Sequence, residues 1–294
     1  MLAAAAPILF VLIWSTGFIV ARAVVPHADP QLFLLVRMAL VAALFAGMAL
    51  AAKESWPRGR RLALHCVAGA MLPGFYLCAS WWAVQHGMPA GIMSLLGALQ
   101  PLIVAFLAFA LHRETLHGRG WIGLLVGVAG VAMVLAPAIE RGGTALPPVA
   151  AVVAILSILG MAGATMIQHA HLAADPLRSG GAVQNGAGTL VALVAVAALG
   201  HARWDHSPVL WGGLVWSVLL LSAAALSLLS WMLRHQGATR VSSLLLLVPA
   251  LAAVEAWLFF GERLGPIQLA GFVLALGGVL IARSRRATPP SEPA

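Results

Sequence analysis

The sequence predicts an all-α membrane protein of ten transmembrane helices, built as two inverted five-helix repeats. Three observations lead there. The 294 residues are 62% hydrophobic and 9% charged, whereas soluble domains are about half apolar and about a quarter charged, so too few polar residues exist to cover a water-facing surface. Apolar windows of about 20 residues, enough to cross a hydrocarbon core about 30 Å thick at 1.5 Å per residue, recur ten times between charged or Gly/Pro-rich breaks. The sequence also repeats weakly at an offset of 148 residues, which pairs Ser94 with Ser242, Pro101 with Pro249, Glu114 with Glu262, Leu116 with Leu264, Gly123 with Gly271 and Gly130 with Gly278. Five spans per repeat is an odd number, so the second copy enters the membrane from the opposite side.

The first window, 6–25, lacks the Lys or Arg that precedes a cleavable signal and reads as a span. The second, 32–52, carries Arg37. The third, 62–84, holds both cysteines. Cys66 and Cys78 stand about 18 Å apart at the helical rise, too far for a bridge, and are expected to be buried and reduced. The fourth and ninth, 89–111 and 241–260, contain Pro101 and Pro249 near their middles. Each proline removes a backbone donor and clashes with the preceding turn, so both helices should kink. The fifth, 118–137, completes a first repeat over 1–137, and the sixth, 148–169, opens a second over 148–283. The seventh, 180–200, carries Gln184 and Asn185 early. The eighth and tenth cover 209–233 and 265–283, and residues 284–294 form a polar, Pro-containing tail expected to be disordered.

Basic residues set the orientation, because cytoplasmic connections retain them. With the N-terminus inside, inner segments hold twelve of the 17 Lys and Arg residues and outer connections hold four, with Arg37 within a span. Both termini are therefore expected in the cytoplasm, in a cell (inner) membrane. The net charge of +8 is spread between apolar runs and forms no basic face with aromatics, which excludes a nucleic-acid footprint.

Ile13-Trp14-Ser15-Thr16-Gly17-Phe18, then Arg37, then Pro101 through Arg113-Glu114-Thr115-Leu116 to Gly130, and finally Pro249 through Gly261-Glu262-Arg263-Leu264 to Gly278 stand in order along the chain. In this series the sequence resembles the EamA family of the drug/metabolite transporter superfamily. The resemblance implies two inverted halves around a central cavity and export of amino acids or similar metabolites, driven by ion or substrate gradients. Inverted repeats of this kind are also, independently of any family, a common plan of secondary transporters.

Candidate site residues follow from chemistry within the spans. Arg37 and Glu255 are charged groups in hydrocarbon, costly unless they face the interior or a partner. Both lie about 8–9 Å below the outer ends of their windows, so a gating or coupling pair is expected, with a static ion pair or side chains that snorkel to the outer interface as the alternative. Trp14, Ser15 and Thr16 fall near the midplane of the first span and offer an indole donor and two hydroxyls to an amphipathic substrate; helix packing is the alternative. Gln100 sits beside Pro101, and Pro101 and Pro249 are candidate hinges. Tyr76, Asn185, Ser227 and Trp231 are further substrate-binding candidates, Asn185 occupying the repeat position of Arg37. Trp81 and Trp82 are expected in an aromatic belt. Glu114 and Glu262 are expected to cap the helices that follow them.

His169 and His171 fall on different helix faces and make no metal site, and no cofactor is expected. No phosphate loop, zinc spacing or nucleophile elbow is present. The expected function is secondary export by alternating access, with lipophilic drug efflux and a polytopic membrane enzyme as alternatives. The expected partners are a small-molecule substrate, the lipid bilayer and protons as a candidate coupling ion, with the oligomeric state left open.

Overall fold

The computed structural model describes residues 2–112, 118–140, 147–201, 203–236 and 244–283. Among the described residues, eight helices are long and apolar enough to cross a membrane and two shorter apolar helices complete the set. We number them α1 (Ala6–Val24), α2 (Pro30–Ala51), α3 (Gly59–Gln85), α4 (Ala90–Leu107), α5 (Gly118–Ala136), α6 (Pro148–Leu172), α7 (Leu177–Leu199), α8 (Pro208–Leu229), α9 (Leu247–Phe260) and α10 (Pro266–Ala282). Several start where the sequence says they should. Pro30, Pro148 and Pro208 sit at first helical positions, where the missing N–H costs nothing. Asp29 and Ser207 cap α2 and α8 through their side-chain oxygens. Outward faces stay apolar, with Phe259 and Val273 about 70% exposed (70% and 71%), a surface that only lipid covers at low cost.

Packing obeys a pseudo-two-fold axis. α2 packs on α7, α4 on α9 and α5 on α10, each pair being repeat mates, while α1 packs on α8 and α9 as α6 packs on α3 and α4. The connections follow the same rule. On one face the segment 25–29 meets 200–207, and on the other the segment around Glu54 meets the start of α7. We call the second, richer in Lys and Arg, the basic face.

The spans are not uniform helices. α1 is interrupted at Thr16, where Ser15 and Thr16 bond back to the carbonyls of Leu12 and Ile13 at 3.0 and 2.7 Å, a hydroxyl habit that bends helices. α4 breaks at Leu99, two residues before Pro101, and the chain turns at Leu246, three before Pro249. The two prolines thus interrupt both helices as their chemistry requires. α3 turns π-helical over Ala70–Tyr76 and α8 over Trp216–Ala224. Shifted by 148 residues, the first segment falls wholly within the second. Pro73 accounts for the irregularity in α3, but the equivalent residue of α8 is Leu221, so proline alone does not explain the pair.

Three expectations change. Trp81 is 1% exposed and stacks on Phe33 at 5.1 Å, so it belongs to the core rather than to an interfacial belt. Cys78 is buried but Cys66 only half-buried; both are free thiols. Glu262 caps a different helix from the one expected: its carboxylate lies against the N–H groups of Ala90 and Gly91 at the start of α4, with Arg22 3.6 Å away. Burial pushes its carboxyl up, and those donors and Arg22 pull it back. Glu114 and the tail 284–294 lie outside the described residues.

Candidate functional site

Two groups of polar side chains occupy the membrane interior. The first joins α1, α8 and α9. The Ser15 hydroxyl donates to Glu255 Oε1 at 2.7 Å and shares its single proton with the Leu12 carbonyl at 3.0 Å. Ser15 is 1% and Glu255 9% exposed. Among the described residues Glu255 Oε2 is buried with no hydrogen-bond partner. A buried acceptor left without a donor is costly in so apolar a setting. At the next residue, Thr16 accepts from the Trp216 indole N–H at 2.8 Å. Trp14 tilts against Phe10 with centroids 5.2 Å apart, and both Trp14 and Trp231 pack on the cluster of Phe10, Val11, Met232 and Val248.

The second group joins α2, α3, α4, α6 and α7. Arg37 lies deep in the protein, in electrostatic contact with Tyr76, and makes no ion pair among the described residues. The Tyr76 hydroxyl lies beside Gly97, where an added Cβ would stand 3.9 Å from it. Gly97 is the residue whose regular intrahelical donor, four positions on, is missing because Pro101 has no N–H. Gln100 donates to Thr165 at 2.6 Å, and one turn further along α6 Gln168 donates to Gln184 at 3.0 Å. Asn185 is occupied within α7, donating to the Gly181 carbonyl at 2.9 Å. Arg37, Tyr76, Gln100, Thr165, Gln168, Gln184 and Asn185 are all only half-buried, so polar surface in the membrane interior stays accessible.

This arrangement corrects the expected pairing. Arg37 and Glu255 form no ion pair among the described residues; the Glu255 carboxyl turns to Ser15 on α1, while Arg37 feels Tyr76 on α3. Glu255 turns to α1, although α9 also packs on α4, whereas α2, which carries Arg37, packs on α7, an allocation that depth within a span cannot reveal.

Comparison with known proteins decides the family. The model of the EamA-like transporter family matches residues 1–136 and 148–284. The chain belongs to the EamA-like transporter family. It is 25% identical, over 93% of its length and 87% of the other, to an uncharacterized transporter, sll0355, of Synechocystis. It is 26% identical, over 78% and 75% of the two chains, to a probable terminal-alkyne amino-acid exporter of Streptantibioticus cattleyicolor. It is also 23% identical, over 93% and 92%, to a probable amino-acid metabolite efflux pump of Escherichia coli. A solved crystal structure matches with a TM-score of 0.64 at 18% identity over 95% of both chains, a likeness of fold.

For an EamA-like transporter, the remaining candidates fall as follows. Ser227 is exposed on α8, and the side chain that reaches α1 from that helix is Trp216. Pro249 is buried, and Pro101 half-buried. Sequence reasoning did not single out Trp216, Thr165 or Gln168. The last two were legible, since polar residues three apart on an otherwise apolar helix share one face. Trp216 carried no such signal, as it faces the one position in α1 where the helix breaks.

Proposed function

We propose that this EamA-like transporter is a secondary exporter of amino acids or similar small metabolites, sited in the cell (inner) membrane with both termini in the cytoplasm. Export by alternating access fits two halves related by an axis in the membrane plane, with kinked helices meeting near the middle. The observation that carries the substrate reading is the unpartnered Glu255 Oε2, set against an Arg37 that no carboxylate among the described residues satisfies. An amino acid carries a partner for each, an ammonium for Glu255 and, at the stage of transport that brings it to the second group, a carboxylate for Arg37, the latter in the forked geometry that guanidinium favours. Trp14, Thr16 and Trp231 then border the side chain. The relatives' names support the same class, two of them being a probable amino-acid exporter and a probable amino-acid metabolite efflux pump.

The test is flux from liposomes containing purified protein, loaded with labelled phenylalanine, threonine or leucine. Saturable efflux that excess unlabelled amino acid inhibits supports the reading. Absence of flux for all three, with equal efflux of a lipophilic cation such as tetraphenylphosphonium, replaces it with drug efflux.

A further inference from the structure

His65 is 3% exposed near the basic-face end of α3, and both ring nitrogens are engaged. Nε2 is 3.0 Å from Asp175 Oδ2, and Nδ1 is 3.0 Å from the Gln184 side-chain nitrogen. An amide nitrogen has only protons to give, so Nδ1 accepts and the ring proton sits on Nε2, donating to Asp175. Gln184 spends its own oxygen on the amide N–H of Gln168, at 3.0 Å. Asp175, whose side chain is 4% exposed, also binds Arg61. The ring is pressed on α7 at Gly180, where a Cβ would lie 2.6 Å from Cε1. First-half α3 is thereby latched to the α6–α7 connection of the second half.

We propose that His65 is the coupling-proton site of this transporter, loaded at Nδ1 and controlling the latch on the basic face. The proposal rests on the transport reading above. Binding one proton at Nδ1 turns that nitrogen from acceptor to donor, and no other bond is made or broken. Gln184 must then rotate its amide to present Oε1 to the ring, which turns its NH2 towards Gln168 and obliges Gln168 to present oxygen in turn. Gln168 lies one turn from Thr165, the acceptor of Gln100. Two amide rotations thus carry the presence of a proton near the basic face to the polar residues of the interior.

At the other nitrogen, imidazolium against carboxylate becomes a charge-assisted pair, stronger than the neutral bond it replaces. The proton-bound form therefore holds the basic face shut, and release of the proton permits opening. The charged groups around the ring are few. Asp175 faces it directly with Arg61 behind, α7 contributes Arg178, held by Glu54 at 3.4 Å, and α6 contributes the neutral Gln168, its His169 and His171 being exposed.

Two measurements test this. Nitrogen NMR of protein labelled at its ten histidines should contain one resonance pair, absent from His65→Gln, that reports an Nε2–H tautomer at high pH and gains a proton at Nδ1 as the pH is lowered. A His65 that stays neutral throughout, or that is doubly protonated throughout, overturns the proposal. In liposomes, His65→Gln should keep exchange of labelled for unlabelled phenylalanine while losing acceleration by a pH gradient. Retained acceleration in the folded variant overturns the proposal, as does a wild-type flux indifferent to the gradient. A wild type that moves none of the three amino acids refutes the transport reading instead, and the NMR result then stands alone on whether His65 takes up the proton.

Discussion

Gly130 and Gly271 meet across α5 and α10 so closely that a Cβ on Gly271 would lie 2.6 Å from the Gly130 carbonyl oxygen, and one on Gly130 would lie 2.6 Å from that of Gly271. The contact is reciprocal because the residues next along obey the same rule. Gly123 touches Gly278, and these four glycines are two repeat pairs exchanged by the axis. Small residues let helix backbones approach where lipid supplies no hydrophobic drive.

Gly271→Ala therefore forces this pair apart and should lower stability by about 1–3 kcal/mol, the usual cost of overpacking. Gly277→Ala, on the same helix but with open space around its Cβ position, should be neutral. Thermal unfolding of both variants in detergent checks the contrast; equal melting temperatures would show that the close approach carries no stability.

Asp29 divides its carboxylate between two halves of the molecule. Oδ1 accepts from the N–H groups of Gln31 and Leu32 at 2.9 and 3.0 Å, while Oδ2 accepts from His201 N–H at 3.0 Å. Asp29→Ala loses the cap and the bridge together and should cost about 2 kcal/mol or more. Asp29→Asn should recover the cap but not the bridge, since its NH2 faces another donor. A melting temperature of the Asn variant midway between wild type and Ala is the expected reading.

Glu255→Gln keeps the Ser15 hydrogen bond and removes the charge. A charge-assisted bond to substrate is worth about 1.5–3 kcal/mol, so the KM for a labelled amino acid should rise by roughly ten- to a hundredfold, at about tenfold per 1.4 kcal/mol. Arg37→Gln should match it, and Arg37→Lys, with charge but no fork, should fall between. Unchanged KM in both neutral variants would remove these residues from the site.

His27 Nδ1 and Asp205 Oδ2 lie 2.6 Å apart on the face opposite the basic one. The hydrogen bond with His27, then that from the Ser207 N–H, hold the Asp205 carboxyl down at about 2 against an ordinary 3.8. A depressed carboxyl contributes stability that is complete above the ordinary value and lost as pH falls through the lowered one. Detergent-solubilised wild type should thus lose melting temperature relative to Asp205→Asn between about pH 4 and pH 2, and the gap should stay constant above that window.

Much of this fold could be read in the residues, since apolar length, basic connections and a constant repeat offset are one-dimensional signals. The kinks at Pro101 and Pro249 were legible for the same reason: proline acts on its own helix. What the sequence concealed was adjacency. Arg37 and Glu255 sit at similar depth, yet depth leaves rotation and neighbour unspecified, and packing gave each a different partner. Asp175 and His65, 110 positions apart, become partners only when the halves come together. Glu262 kept its affinity for exposed amides and found them on α4, a helix far away in sequence.

The paired π segments in α3 and α8 have a consequence for how this molecule tolerates change. A π turn houses one residue more than the α turn it replaces, and side chains beyond it are swung by about 100°. Tyr76 and Trp81 in α3 take their directions from that surplus. A single-residue deletion within 70–76 would leave an unbroken helix of ordinary geometry and aim Trp81 away from Phe33. The two halves would then differ by one residue in mid-membrane, and an axis that now relates them along their whole length would hold on only one side of the lesion.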